Sequence, residues 1–418
     1  MKILLVAYAC HPYAGSEPGV GWNAVLRISK SHDVGVLTDI HNKPEWDQGA
    51  KEGKIPPNVQ VRFVRDHALS INQPFIAHLA CWLSVAQYNK VVLDHALKWH
   101  EDEHFDLCHQ VTIASWRMPS PLWRMPIPFV WGPIGGAGYM PTRFRSMLSL
   151  KSRVFETARD IHNFKSKHSK GFLHSVRNSS VVICANEETE ELVQLFRGGS
   201  PLYRLPVTTL TPANIAKLER PNTIRQQDGP LMLFAGGNME GRKGLSLAFQ
   251  ALMQLMQKGV DFQYVIGGSG PEIESLKVLA AQLGIDRNVH FHVSFKGQDY
   301  LDVLWKTDVY LLPSFRETMG MTLIEAVLAG CYPVVADTSA QGEIVRNIGG
   351  TAVPLRSKSE FIDDLAKALF WCAENKKKLY QMSSSFREIA ADYISEARTV
   401  KVMNAIYHSL KENGTTNR

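Results

Sequence analysis

At 418 residues the chain exceeds what one hydrophobic core usually serves, so two domains of about 200 residues each are expected. Hydrophobic residues at 45% and charged residues at 21% exclude a largely disordered chain. The formal net charge of +6 is mild for this length and no nucleic-acid-binding motif accompanies it, which argues against a nucleic-acid partner.

The chain opens MKILLVAYAC, which superficially resembles a lipoprotein leader. Its apolar run is only about seven residues and passes directly into a glycine-rich loop, so a buried first strand is expected instead. Cys10, Cys81, Cys108, Cys184, Cys331 and Cys372 include no C-x-x-C pair and mostly sit in apolar runs, as reduced thiols of a cytoplasmic protein do. No segment reaches the roughly 18 uninterrupted apolar residues of a membrane span.

Short apolar runs alternate with longer amphipathic segments, the signature of parallel sheets covered by helices. In the first half the predicted strands are Lys2–Tyr8, Asp33–Leu37, Val59–Val64, Leu107–Val111, Phe129–Trp131 and Val181–Cys184. Prolines 201, 206, 212, 221 and 230 then mark an interdomain connection. Alternation resumes with Leu231–Ala235, Gln263–Ile266, Asn288–Phe291, Val309–Leu312 and Tyr332–Val335. The fold class is α/β, two Rossmann-like doubly wound domains facing across a cleft. Their expected extents are 1–205 and 206–385, with 386–418 a final helix crossing back to the first domain. In such sheets ligands collect beyond the carboxyl ends of the strands.

After the first strand, HPYAGSEPGVGWN places Gly15, Gly19 and Gly21 without the G-x-G-x-x-G spacing of a dinucleotide dehydrogenase. HEDEH at 100–104 is a literal H-E-x-x-H, but it lies at a helix end with no clear third ligand downstream, so a solvated terminus is expected rather than zinc. His109 is expected at the carboxyl end of the strand in FDLCHQVT, and WGPIGGAG, 131–138, reads as a glycine-rich loop at the end of another strand. From Arg143 to Arg177 nine Lys or Arg face only Glu156 and Asp160, interleaved with leucines and phenylalanines. This reads either as a solvated helical face or as a basic amphipathic surface for an anionic membrane.

In the second half, FAGGNMEGRKGL gives a strand, a glycine turn and a helix start, where Arg242 and Lys243 can neutralise a leaving diphosphate. YVIGGSGPE repeats the strand and turn with Gly267, Gly268 and Gly270, glycines that let backbone approach a nucleotide. The most informative stretch is VYLLPSFRETMGMTLIEAVLAGCYPVVA, 309–336. A strand ends at Pro313, a loop carries Glu317, a helix is expected from about Thr322 to Ala329, and Gly330 caps it. The free amides from Thr318 through Met319 and Gly320 to Met321 suit a diphosphate, while Glu317 and Glu325 suit sugar hydroxyls.

In order and spacing, this last stretch resembles the E-x7-E region of family 4 glycosyltransferases, with Lys243-Gly244 matching that family's lysine-glycine pair. The resemblance implies a GT-B fold and a retaining hexosyltransferase acting on a nucleotide-diphosphate sugar, a UDP- or GDP-sugar. The implied acceptor is a saccharide or a lipid-linked saccharide of bacterial cell-surface polysaccharide synthesis. It further implies catalytic roles for His109, which would touch the donor sugar, Lys243 and Glu317, and donor contacts at Gly15, Ser16, Arg242, Gly268, Thr318, Met319, Gly320, Met321 and Glu325. Glu325 would take the ribose. Glu17 either orients an acceptor hydroxyl or is a surface acid. There is no D-x-D motif, and neither a metal nor another cofactor is expected. The expected location is the cytoplasm, peripheral to the inner face of the plasma membrane. The sequence departs from the family at Asn238, where an additional arginine is common. Rival readings are a nucleotide-sugar epimerase or phosphorylase, a non-catalytic nucleotide-sugar-binding protein, and the zinc peptidase through His100 and His104.

Overall fold

The structure is a computed structural model describing residues 1–64, 77–221, 229–295 and 297–416, with side chains described outside 77–82 and 413–416. The chain divides into two units. Unit 1 comprises Met1–Ala137, Ile161–Thr209 and Glu396–Arg418, and unit 2 comprises Gly138–Asp160 and Leu210–Ser395.

Unit 1 is built on seven parallel strands: β1 (Lys2–Ala7), β2 (Asp33–Asp39), β3 (Val59–Val64), β4 (Leu107–Thr112), β5 (Phe129–Ile134), β6 (Val181–Cys184) and β7 (Leu202–Arg204). Their order is β3-β2-β1-β4-β5-β6-β7. The period-two geometry of a strand divides β1 between two cores, Leu4 and Val6 on one face and Ile3, Leu5 and Ala7 on the other. The Glu396–Thr416 helix adds Met403, Ile406 and Tyr407 to the second of these cores.

Unit 2 carries six parallel strands: β8 (Leu231–Gly236), β9 (Phe262–Gly267), β10 (Val289–His292), β11 (Val309–Leu312), β12 (Tyr332–Ala336) and β13 (Thr351–Val353). They run β10-β9-β8-β11-β12-β13. In both sheets the strand order reverses beside the first strand of the unit. The switch points lie between β1 and β4 and between β8 and β11, and a crevice at such a point is where doubly wound sheets bind ligands.

The expected strands are all present, most with bounds one to three residues longer, and the three-residue strands β7 and β13 are additional. The first half of WGPIGGAG is strand, not loop. β5 continues through Ile134, and all six of its residues are buried. Its pairing with β6 shifts register between Trp131 and Ile134, so the strand accommodates Gly132 and Pro133 through an irregularity instead of stopping. The segment 138–160, embedded in the first half of the chain, belongs to unit 2. Phe144 there packs 4.7 Å from Phe315, and both rings meet Phe361.

Cys10, Cys108, Cys184, Cys331 and Cys372 are buried free thiols, while the side chain of Cys81 lies outside the described residues. Among the described residues no helix is long and apolar enough to cross a membrane.

Candidate functional site

The carboxyl ends of β8 and β11 bring the two richest sequence motifs together. After β8 the chain turns through Gly236 and Gly237 into a short 3-10 helix, Gly241–Lys243, and then into the Leu245–Gln257 helix. After β11 it passes Pro313 to Gly320 and enters the Met321–Leu328 helix, one residue from its expected start. Two glycines make these turns feasible. Gly244 has φ +70°, and a Cβ there would sit 2.3 Å from the Pro313 carbonyl oxygen. Gly268 has φ +133°, and its Cβ would meet the Gly237 carbonyl oxygen at 2.0 Å. Any larger residue would therefore push the loops apart.

Lys243 is 5% exposed, and its Nζ donates to Glu317 Oε1 at 2.5 Å. Arg242 Nη1 reaches the same oxygen at 3.3 Å and the Arg316 carbonyl at 2.6 Å, while its Nε donates to Glu240 Oε2 at 2.7 Å. Burial pushes the Glu317 carboxyl upward, but Lys243 and then Arg242 outweigh it and hold it below the ordinary range. Glu317 is thus a carboxylate locked between two cations. Its amide donates to Ser339 Oγ at 2.9 Å, which fixes the loop that carries it.

Asn238, at the position of the family's additional arginine, donates to Glu240 Oε1 at 2.7 Å. The missing cation is therefore not replaced by simple addition of Arg242, because Glu240 holds Arg242 as well. Two cations and two carboxylates leave the cluster of Glu240, Arg242, Lys243 and Glu317 formally neutral.

Gly320 caps the Met321–Leu328 helix with φ +65° and ψ +48°. The amides of Leu323 and Ile324 are the first to return to the Gly320 carbonyl. The N–H groups of Met319, Gly320 and Met321 precede that first turn, at the positive end of the helix dipole. One helical turn on, Glu325 is half-buried and accepts a 2.6 Å hydrogen bond from Tyr300 Oη. Burial raises the Glu325 carboxyl, with the Tyr300 bond working in the opposite direction. Sequence reasoning missed Tyr300. It stands in the Gln298–Lys306 helix, in no motif, and packs against Phe234 and Phe295.

The 138–160 segment reaches the same loops. Glu156 and Arg316 form an ion pair with side chains only 5% and 12% exposed, and a Cβ on Gly241 would meet Leu148 at 2.7 Å. Part of the basic run is thus tied to other residues of unit 2. Arg143 donates to the carbonyls of Leu355 and Arg356, and Arg145 pairs with Asp160.

In unit 1, Gly15 and Ser16 are exposed at the start of the Ser16–Ser29 helix, after β1. Glu17 accepts a hydrogen bond at 3.2 Å from the Ala114 amide, just beyond β4, which ties the two sides of that switch point together. Burial raises its carboxyl. Glu17 is thus half-buried and held by the backbone at the end of β4.

His109 does not close its strand. It is the third of six residues of β4, 1% exposed, with Nδ1 2.7 Å from the Tyr407 hydroxyl and Nε2 2.7 Å from the Gly132 carbonyl. The carbonyl requires a proton on Nε2, so Nδ1 accepts from Tyr407. Burial lowers its pKa to about 4, and the ring stays neutral with both nitrogens engaged. In this arrangement it has no polar atom left for a sugar. His100 and His104 have ring centroids 6.4 Å apart, and among the described residues no group of three His, Cys, Asp or Glu gathers around them.

Residues 217–387 match the family model described as "Glycosyl transferases group 1". A 2-deoxystreptamine glucosyltransferase of Streptomyces kanamyceticus is 28% identical over 166 residues, covering 38% of this chain and 43% of that protein. The match thus spans less than half of the relative's length. Among solved structures, sucrose-phosphate synthase from Thermosynechococcus elongatus aligns over 98% of both chains with a TM-score of 0.62 at 16% identity. HepE of Anabaena in complex with UDP aligns over 98% of this chain and 100% of its own, again with a TM-score of 0.62 at 16% identity. The chain therefore has the GT-B fold, and its residues 217–387 are similar to the glycosyl transferases group 1 family.

Proposed function

We propose that the protein is a retaining glycosyltransferase of family 4 that moves a sugar from a UDP- or GDP-sugar to a saccharide or lipid-linked acceptor. We place it in the cytoplasm, in the synthesis of bacterial cell-surface polysaccharide. The observation that carries this reading is the pairing of Lys243 with Glu317 beside the capped Met321–Leu328 helix, at the switch point of β8 and β11. HepE, with which the chain shares its fold, binds UDP. The chain's buried free thiols suit a reducing compartment.

Within unit 2 the nucleoside diphosphate lies over the amides of Met319 to Met321, with Gly268 and Thr318 also in contact, and Glu325 accepts from the ribose hydroxyls. Lys243 and Arg242 meet the charge that develops on the β-phosphate as the bond from the sugar C1 to its oxygen breaks. The acceptor hydroxyl attacks C1 from the face the diphosphate leaves, and its proton passes to the departing phosphate oxygen. Glu317 holds Lys243 in place and orients the donor sugar. No protein nucleophile and no metal enter this scheme. Glu17, fixed by Ala114, orients the acceptor. His109 supports the Gly132 carbonyl through its Nε2 proton.

The formal neutrality of the cation cluster favours one second reading, a nucleotide-sugar-binding protein without transfer. A thermal-shift screen against UDP-, GDP- and ADP-sugars followed by product analysis separates the two. Ligand at a hundred times its Kd stabilises the folded state by about 2.7 kcal/mol. Stabilisation together with a glycosylated acceptor is expected. Stabilisation with no product from any acceptor supports the second reading, and no stabilisation by any sugar nucleotide overturns both.

A further inference from the structure

The Leu150–Lys167 helix leaves a continuous apolar stripe uncovered. Leu150 is 77% exposed, Val154 62%, Ile161 54% and Phe164 61%. At 3.6 residues per turn these four side chains fall within about 80° of one another around the helix axis. Glu156 and Asn163, on the far side, are buried. This helix therefore shows its apolar side to solvent, the reverse of an ordinary surface helix.

Lysines flank the stripe. Lys151, Lys165 and Lys170 are exposed, and Lys167 Nζ lies 5.3 Å from the centre of the Phe164 ring. The only acids of the segment, Glu156 and Asp160, are held by Arg316 and Arg145. Large apolar side chains flanked by exposed lysines, on a helix whose two carboxylates are paired with arginines, complement an anionic lipid surface. Apolar groups enter the acyl boundary and ammonium groups meet lipid phosphates. A second copy of the chain is a poorer occupant, because a two-fold contact through the same stripe would set Lys165 and its neighbours against themselves.

We propose that this stripe docks the protein on an anionic phospholipid bilayer, with the helix lying in the interface plane. The inference is independent of the donor reading. The test is co-sedimentation of the full chain with phosphatidylcholine vesicles and with vesicles that also contain phosphatidylglycerol, at low and high salt. Sedimentation with the anionic vesicles alone, weakened by salt, is expected. The double variant Ile161→Glu/Phe164→Glu should lose at least about tenfold in vesicle affinity, and Lys165→Gln/Lys170→Gln a smaller factor. All four positions are solvent-facing, and circular dichroism and thermal midpoint verify that the variants fold. Transfer to a soluble acceptor should be unchanged in both. The proposal is overturned if the unmodified chain ignores anionic vesicles at low salt, or if the double variant binds them as well as the parent. It is equally overturned if the parent is a dimer in solution that the double variant converts to monomer.

Discussion

Tyr300 Oη donates a 2.6 Å hydrogen bond to Glu325 Oε2, joining the Gln298–Lys306 helix to the carboxylate expected to take the ribose. Tyr300→Phe removes that donor while keeping the ring that packs on Phe234 and Phe295. A hydrogen bond to a charged group contributes about 1.5–3 kcal/mol, so donor affinity should fall roughly tenfold or more with little change in kcat. Burial already raises the Glu325 carboxyl and the Tyr300 bond restrains it, so the variant's carboxyl rises further. Donor binding, which uses the ionised form, is then lost at a higher pH as pH falls. Calorimetric titration of UDP against pH measures both effects.

Glu317→Gln leaves Lys243 buried without its carboxylate. Breaking a buried pair costs about 3–5 kcal/mol, though the nearby carboxylate of Glu240, already bound to Arg242, moderates the loss. The Glu317 carboxyl is held below its ordinary value, so its stabilising contribution is complete above the unfolded-state pKa, about 4.3, and is lost as pH falls through the lower folded value. Chemical denaturation should show a large difference between parent and variant at neutral pH that shrinks in acid.

Much of the fold was legible because buried parallel strands read as unbroken apolar runs, such as VYLL and ILLVA. The strands that escaped are short edge strands. Leu202, Tyr203 and Arg204 of β7 are partly or fully exposed, and three residues after a proline carry little pattern. β5 was cut short because Gly132 and Pro133 normally punctuate chains, whereas here they sit at a register shift. The donor residues were legible because each motif is local. The Tyr300–Glu325 contact was not, because residues 25 apart meet only through the packing of helices beside β11. In the basic run, composition alone could not separate arginines engaged by carbonyls or a carboxylate, such as Arg143 and Arg145, from exposed lysines such as Lys165 and Lys170.

Asn238→Arg tests the departure at the cation cluster. An arginine there competes for Glu240, which now accepts from both Asn238 and Arg242, and adds one positive charge. UDP should bind roughly tenfold more tightly, as an added charge-assisted contact allows. Unchanged affinity at every ionic strength would show that position 238 does not face the diphosphate.

Gly268→Ala probes the loop geometry. With φ +133° and a new Cβ only 2.0 Å from the Gly237 carbonyl oxygen, the two loops must separate. Left-handed strain of about 1 kcal/mol combines with that clash. Urea denaturation should show a loss well beyond that of Gly259→Ala, where φ is +78° but nothing lies within 4 Å.

The donor site is tested most directly by turnover of sugar nucleotide and affinity for UDP or GDP in Lys243→Ala, with circular dichroism verifying the fold. Lys243 is the most buried cation of the cluster and sits against the carboxylate of Glu317. Transfer should fall by about two orders of magnitude or more, as when a preorganised electrostatic group is removed, and the diphosphate should bind more weakly than to the parent. A folded Lys243→Ala variant with full turnover would contradict the assignment.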